Sequence, residues 1–193
     1  MARSGRQAAL FDSAVQLPQG LVYKPEFITR DEEEILLAMI ESVSPSRTKY
    51  TIKEIGESVL TRRRAAWFSE ARGDGLPRWL QPLRHRIAKW LDVPKERLTS
   101  ALINEYLCGT GIGWHRDNED VEHIVGLSLG GWCTMRFRPL PTDRSLDIDQ
   151  INLDLEPRSC YVMQKDIRWN WQHSISPTKT HRYSITFRTL PIY

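Results

Sequence analysis

The sequence has no run of about 18 apolar residues, the length that a membrane-spanning helix needs. It also lacks a C-x-x-C pair, because its three cysteines, Cys108, Cys133 and Cys160, are odd in number and far apart. That excludes a disulfide framework and a zinc ribbon, and the thiols read as reduced core residues. Net charge is scarce too: 27 Lys plus Arg against 24 Asp plus Glu leave +3, which is compatible with a polyanionic partner without demonstrating one. No internal repeat, low-complexity tract or Pro/Gly-rich linker appears, and the first residues, MARSGRQAALFDSAVQ, lack the apolar stretch of a secretion signal. A cytoplasmic monomer with no membrane partner is therefore expected.

What is present is a packable interior. Of 193 residues 40% are hydrophobic, and a length within about 100–200 residues predicts one domain, here 21–193 after a loose arm over 1–20. Thr29 and Glu32 form a T-x-x-E capping box ahead of Ile35, Leu36, Met39, Ile40 and Val43, which predicts a helix over about 30–44. A second apolar stripe, from Trp79 to Leu91 between Pro77 and Pro94, predicts a helix over about 77–92. The hydrophobic period then changes to two. Residues 101–107, 124–129, 134–138, 158–163 and 183–189 all have strand character. The expectation is an α+β domain, a mostly antiparallel sandwich or jelly roll with the helices packed on one sheet and any chemistry between the sheets.

In Gly113-Trp114-His115-Arg116-Asp117 an imidazole and a carboxylate stand two residues apart, hence on one side of an extended segment. They can fill two adjacent coordination positions. A distant histidine would complete the two-histidine, one-carboxylate face that leaves three positions open on octahedral Fe(II), enough for a bidentate co-substrate and dioxygen. His123, His173 and His181 are the candidates, and His173, at the start of a late strand, is the best placed. Downstream, Arg182 and Arg188 are six residues apart and share a strand face, while Tyr183, Ile185 and Phe187 take the other. Guanidinium groups inside a sandwich need anionic partners. Asp117 is one candidate, and a dicarboxylate co-substrate, suited to bidentate arginine, is the other. Exposed, solvated arginines are the competing reading.

Asn104-x-Tyr106, His115-x-Asp117, His173 and Arg182 followed after five residues by Arg188 together resemble the AlkB family of Fe(II)- and 2-oxoglutarate-dependent dioxygenases, over roughly residues 100–190. Ser128-Leu129-Gly130 and the Trp171-x-His173-Ser174-Ile175 segment are similar in kind. The resemblance implies a double-stranded β-helix in which His115, Asp117 and His173 bind Fe(II). It implies that Arg182 takes the distal carboxylate of 2-oxoglutarate, that Arg188 lies by the proximal end and Asp117, and that Asn104 and Tyr106 hydrogen-bond the co-substrate. The implied activity uses O2 and 2-oxoglutarate to hydroxylate an N-methyl carbon, which is lost as formaldehyde.

The implied substrate is an alkylated base such as 1-methyladenine or 3-methylcytosine in single-stranded DNA or RNA, in alkylation damage repair. Glu119 falls in register with an acidic residue that faces the base in family members, and Trp67 or Phe68 is a candidate for stacking on it. Arg62, Arg63, Arg64, Arg72, Arg136 and Arg138 are candidates for tracking phosphates. Two features depart from the family pattern: Ser184 replaces an asparagine near the co-substrate, and only 69–76 separate Trp67-Phe68 from the second helix, where a longer base-gripping lid is usual. The alternatives are the same chemistry on a protein or a modified tRNA, and a non-catalytic nucleic-acid-binding domain.

Overall fold

Two apolar layers organise the chain, and they are separated by one sheet. In the computed structural model, residues 18–43, 46–52, 57–73, 75–140 and 150–190 are described. The first strand, β1, is Leu21–Lys24, and helix α1 spans Arg30–Ser42. Thr29 Oγ1 accepts from the Glu32 backbone N–H at 3.2 Å and Glu32 returns the bond to the Thr29 N–H at 2.9 Å, the expected capping box. The helix stops short of residue 44 because Ser42 Oγ donates to the Met39 carbonyl and the Val43 N–H turns to Ile40, which draws its last turn tight. Strands β2 (Ser46–Ile52) and β3 (Glu57–Ser69) follow. A 3-10 turn over Arg78–Leu80 then leads into α2 (Gln81–Leu91), which Asp92 ends in a left-handed conformation ahead of Pro94.

The remaining strands are β4 (Leu98–Tyr106), β5 (Ile112–His115), β6 (Ile124–Leu129), β7 (Cys133–Pro139), β8 (Ile151–Leu155) and β9 (Cys160–Met163). After the five-residue helix α3 (Lys165–Trp169) come β10 (Trp171–Ile175) and β11 (Arg182–Thr189). They form a seven-stranded sheet in the order β1-β9-β6-β11-β4-β3-β2 and a four-stranded sheet in the order β5-β10-β7-β8, with antiparallel pairing throughout. This is the expected jelly roll, the double-stranded β-helix.

The outer face of the large sheet buries Ile103, Leu127, Ile185 and Phe187 against Ile40, Leu80 and Ile87 of the helices. The gap between the sheets holds a second core of Tyr106, Met135, Phe137, Leu155 and Ile175. Residues 1–17 of the expected arm lie outside the described residues; Gly20 accepts from Gln164 N–H at 3.1 Å. Cys133 and Cys160 are buried as expected, but Cys108 is exposed and donates weakly to the Lys179 carbonyl, so it is not a core thiol. Among the described residues no helix is long and apolar enough to cross a membrane.

Helices α1 and α2 are tied by an ion pair between Glu32 and Arg86. The Arg86 hydrogen bond, with the Thr29 N–H, holds the Glu32 carboxyl at about 2, well below its ordinary 4.5. Because the folded-state value is depressed, the stabilisation is complete above the unfolded value of 4.5 and is lost as pH falls towards 2. The pair is partly exposed, so solvent screens it. Glu32→Gln, which keeps the cap acceptor, is expected to cost about 0.5–1 kcal/mol near neutrality. In urea titrations the deficit should shrink steadily once the pH drops below 4.5.

Candidate active site

The site is assembled where β5 pairs with β10. His115 lies directly opposite His173 in that pair, while Ile175 lies opposite Ile112, so β5 carries one more residue than its partner between the two points. That bulge re-aims the strand and lets Ile112 and His115, three residues apart, both turn inward. The two imidazole rings are 4.2 Å apart between centroids. His115 Nδ1 lies 2.9 Å from the Gly113 carbonyl oxygen, a contact that makes Nδ1 the N–H donor and leaves the Nε2 lone pair for a metal.

Asp117, just beyond β5, completes the cluster, with Oδ2 3.7 Å from His173 Nε2. One ligand atom from each of the three residues lies within 4.8 Å of the others. His123 and His181 do not join them. His123 Nδ1 bonds Thr189 Oγ1 at 3.0 Å, and His181 Nε2 bonds Glu105 Oε1 at 3.0 Å, on the helix side of the large sheet.

The electrostatics prepare the cluster for a cation. Burial would raise the Asp117 carboxyl, but the Arg188 guanidinium, whose Nη2 is 3.5 Å away, acting with the charge of Arg168, outweighs it and holds the group below its ordinary value. Burial and the neighbouring His115 push His173 down to about 3, so it is neutral and free to coordinate. The segment after Asp117 is fixed by Arg168, which is 2% exposed. Its Nε donates to the Val121 carbonyl at 3.0 Å, its Nη2 donates to the Asn118 carbonyl, and its guanidinium lies over Trp169. Sequence reasoning missed Arg168, because its acceptors are backbone carbonyls that no residue type announces.

On the inner face of the large sheet Arg182 is 1% exposed. It stands over the Tyr106 ring, and its Nε donates to Ser128 Oγ at 3.1 Å. Arg182 Nη1, Arg188 Nη1 and Asn104 Oδ1 are buried with no hydrogen-bond partner among the described residues. An unfilled guanidinium donor at such a site costs about 1–3 kcal/mol or more until an anion meets it. A dicarboxylate such as 2-oxoglutarate fits that demand, and the two-histidine, one-carboxylate donor set fits Fe(II). Ser184 sits between Asn104 and Ser128 in the sheet, also buried.

A cavity of about 650 Å³ opens beside Asp117, lined by Trp67, Glu70, Asp120, Arg188 and Leu190 among others. Strand alternation divides the two candidate stacking residues. Trp67 faces the cavity and carries the Arg188 guanidinium 5.0 Å from its ring centroid, whereas Phe68 points the other way and packs against the helix-side core. Phe68 is thus a core residue. Glu119 is not among the cavity residues; its side chain is 80% exposed and pairs with Arg116 at 2.9 Å, and Asp120 takes the cavity wall instead.

The arginines do not form one surface. Arg64 pairs with Glu105 of the large sheet, whereas Arg136 and Arg138 flank Trp114 on the small sheet, and the side chains of Arg62 and Arg72 lie outside the described residues. The short connection after Trp67-Phe68 is a 3-10 turn over Glu70–Arg72, capped by Ser69 and closed by a left-handed Gly73.

The profile of the 2OG-Fe(II) oxygenase superfamily matches residues 20–188. The chain is 30% identical to the uncharacterized protein L905 of Acanthamoeba polyphaga mimivirus, over 77% of this chain and 81% of that protein. It is 28% identical to the alkylated DNA repair protein ALKBH8 homolog of Arabidopsis thaliana, over 86% of this chain and 53% of that one. It is also 28% identical to the tRNA (carboxymethyluridine(34)-5-O)-methyltransferase ALKBH8 of Macaca fascicularis, over 84% of this chain and 25% of that one. The chain thus spans about half of the plant relative and a quarter of the macaque one. The solved structure of OsALKBH1 superposes with a TM-score of 0.61 at 15% identity, covering 90% of this chain and 99% of that one; it shares the fold.

Removing one of three ligands should weaken metal binding more than the roughly 10- to 100-fold that loss of an outer hydrogen-bond partner costs. Mn(II) titration followed by electron paramagnetic resonance is expected to show that drop for Asp117→Ala and for His173→Ala. His181→Ala, whose ring bonds Glu105 on the other side of the sheet, should bind as the wild type does.

Proposed function

The chain belongs to the 2OG-Fe(II) oxygenase superfamily and is AlkB-like, a dioxygenase that uses Fe(II), 2-oxoglutarate and O2, and from that premise we propose that it demethylates N-alkylated bases in single-stranded DNA or RNA as part of alkylation damage repair. The observation that carries this reading is the cavity of about 650 Å³ beside Asp117, which is large enough for a base and has an exposed indole in its wall. The name of the plant relative, an alkylated DNA repair protein homolog, supports the same substrate class.

When bound, Fe(II), 2-oxoglutarate and O2 supply a two-electron oxidation that hydroxylates the N-methyl carbon, while 2-oxoglutarate leaves as succinate and carbon dioxide. The protein binds and orients. His115, Asp117 and His173 would hold the metal. Arg182 would take the distal carboxylate through the Nη1 that has no partner among the described residues, and Asn104, Tyr106 and Ser184, buried on the same sheet, would line the co-substrate's path. Arg188 keeps Asp117 ionised and braces Trp67 from one side, leaving the other indole face to stack on an extruded base. The hydroxymethyl product on nitrogen then releases formaldehyde and restores the unmodified base.

A second reading, oxidation of a modified nucleoside in tRNA, is favoured by the macaque relative, whose name states a tRNA substrate, and by the short segment over 69–76. Incubation with Fe(II), 2-oxoglutarate and oligonucleotides bearing 1-methyladenine or 3-methylcytosine should yield succinate and formaldehyde in equal amounts. Absence of both products on every methylated base rejects the first reading, and turnover confined to a tRNA pool establishes the second. Trp67→Ala is expected to raise KM for the oligonucleotide by about tenfold, from the roughly 1–3 kcal/mol of a base–aromatic stack, while leaving the thermal midpoint nearly unchanged.

A further inference from the structure

Gly126 leaves a gap on the inner face of β6, and a side chain of the neighbouring strand fills it. Gly126 pairs with Tyr161 of β9 on one side and with Thr186 of β11 on the other. Tyr161 points between the sheets, because Cys160 and Val162 on either side of it belong to the helix-side core. Its ring does not stand upright there. A Cβ on Gly126 would overlap Cε1 and Cζ of the ring and lie 2.5 Å from the hydroxyl oxygen, so the outer end of the ring has crossed from β9 onto β6, the neighbour of β11. A strand glycine at this point serves that close approach, since a side chain at 126 would displace the phenol.

The register places the hydroxyl between the two inward guanidinium groups. Along the inner face Arg182 lies level with Tyr106, Ser184 with Ser128, Thr186 with Gly126 and Tyr161, and Arg188 with Ile124. The phenol row is therefore one step beyond Ser184 and one step short of Arg188. Tyr161 is 7% exposed. Burial, with Tyr106 beside it, pushes the phenol above its ordinary value of 10 against the opposing charge of Arg182, so the group is an O–H donor at neutral pH. Asp117, at the metal end, acts on it more weakly than Arg182 does. Among the described residues no acceptor meets this hydroxyl, an unfavourable state for a buried donor until an acceptor arrives.

Arg182 alone does not complete a carboxylate site. Its Nε is spent on Ser128, and its Nη1 has no partner among the described residues. A carboxylate brings two oxygens, each able to accept more than one hydrogen bond. Away from water the second oxygen needs a donor of its own. We propose that Tyr161, admitted by Gly126, is a further co-substrate-binding residue, whose hydroxyl would donate to the distal carboxylate of 2-oxoglutarate beside Arg182. The assignment rests on the superfamily's co-substrate and not on the identity of the molecule oxidised, so it stands or falls apart from the demethylase reading. The competing account is structural: an aromatic ring laid over a strand glycine covers its backbone and supports the sheet. That account needs the ring and not the hydroxyl.

Two keto acids separate these accounts. 2-Oxopentanoate has the same keto-acid head as 2-oxoglutarate but a methyl group in place of the distal carboxylate. Binding of each to the full chain loaded with Mn(II) is followed without oxygen by electron paramagnetic resonance. Tyr161→Phe should weaken 2-oxoglutarate by about tenfold, as loss of a hydrogen bond to a charged group predicts, and should leave 2-oxopentanoate within about twofold of wild type. The thermal midpoint of the ligand-free protein should stay close to that of wild type. In turnover, KM for 2-oxoglutarate should rise while kcat barely changes. Gly126→Ala, which keeps the phenol but removes its seat, should weaken 2-oxoglutarate by a similar factor. Undiminished 2-oxoglutarate binding in Tyr161→Phe overturns the proposal and leaves the ring as sheet packing. An equal loss for both acids overturns it too, because the hydroxyl would then serve the keto-acid end or the wall.

Discussion

The register between β5 and β10 is the constraint on which the metal cluster depends. Side chains on a strand alternate, so a slip of one residue would send His173 to the outer face of the small sheet and replace it inside by a neighbour. The outer face opposes that slip. Arg136 Nε donates to Ser174 Oγ at 3.0 Å and Arg138 Nε donates to Gln172 Oε1 at 2.9 Å, while both guanidinium groups lie over Trp114, the residue before His115. These contacts straddle His173 in sequence and bind three strands together at the level of the ligands. The inner face opposes it too, since Met135 and Phe137 are almost fully buried beside β10.

Between the sheets the protein accepts polar groups that a stability-optimised core would exclude. Arg168, Arg182, Arg188 and Asn104 each keep a buried atom without a hydrogen-bond partner among the described residues, at about 1–3 kcal/mol apiece. The compensation lies on the other side of the large sheet, where α1 and α2 cover an unbroken apolar layer. Separating the two layers explains how the fold tolerates an inner cavity and an unsatisfied cluster: the helix-side core stabilises it independently of ligands, and bound ligands add stability by mass action.

The residues that cluster between the sheets were legible because their chemistry and spacing are local facts: His115-x-Asp117, the even spacing of Arg182 and Arg188, and a histidine early in a strand-like segment. The helices were legible from their caps and period. What stayed hidden depended on phase and on backbone. Alternation alone shows that Trp67 and Phe68 face opposite ways but not which one looks inward, and the chain settles this by packing Phe68 with Ala66 against the helices. The β5 bulge breaks the two-residue period, so neither that strand nor the inward turn of His115 could be read directly. Glu119 matched by position, yet the loop turns it to Arg116 and presents Asp120 to the cavity. Cys108, in a tight turn after β4, carried no mark distinguishing it from the two buried cysteines.

Strand β11 shows why these layers cannot drift apart. It lies between β6 and β4, paired along nearly its whole length, so its backbone has no freedom to tilt. Its odd residues, Tyr183, Ile185 and Phe187, belong to the helix-side core, and its even residues, Arg182, Ser184, Thr186 and Arg188, face the gap between the sheets. Every methyl group packed under the helices therefore also fixes the height of a guanidinium on the opposite face. A close-packed interior deforms little, so the distance between the two arginines is set by the sheet and not by the loops. The short turn after Trp67 can then shape the cavity without disturbing the spacing of the His115–Asp117–His173 cluster and the two arginines.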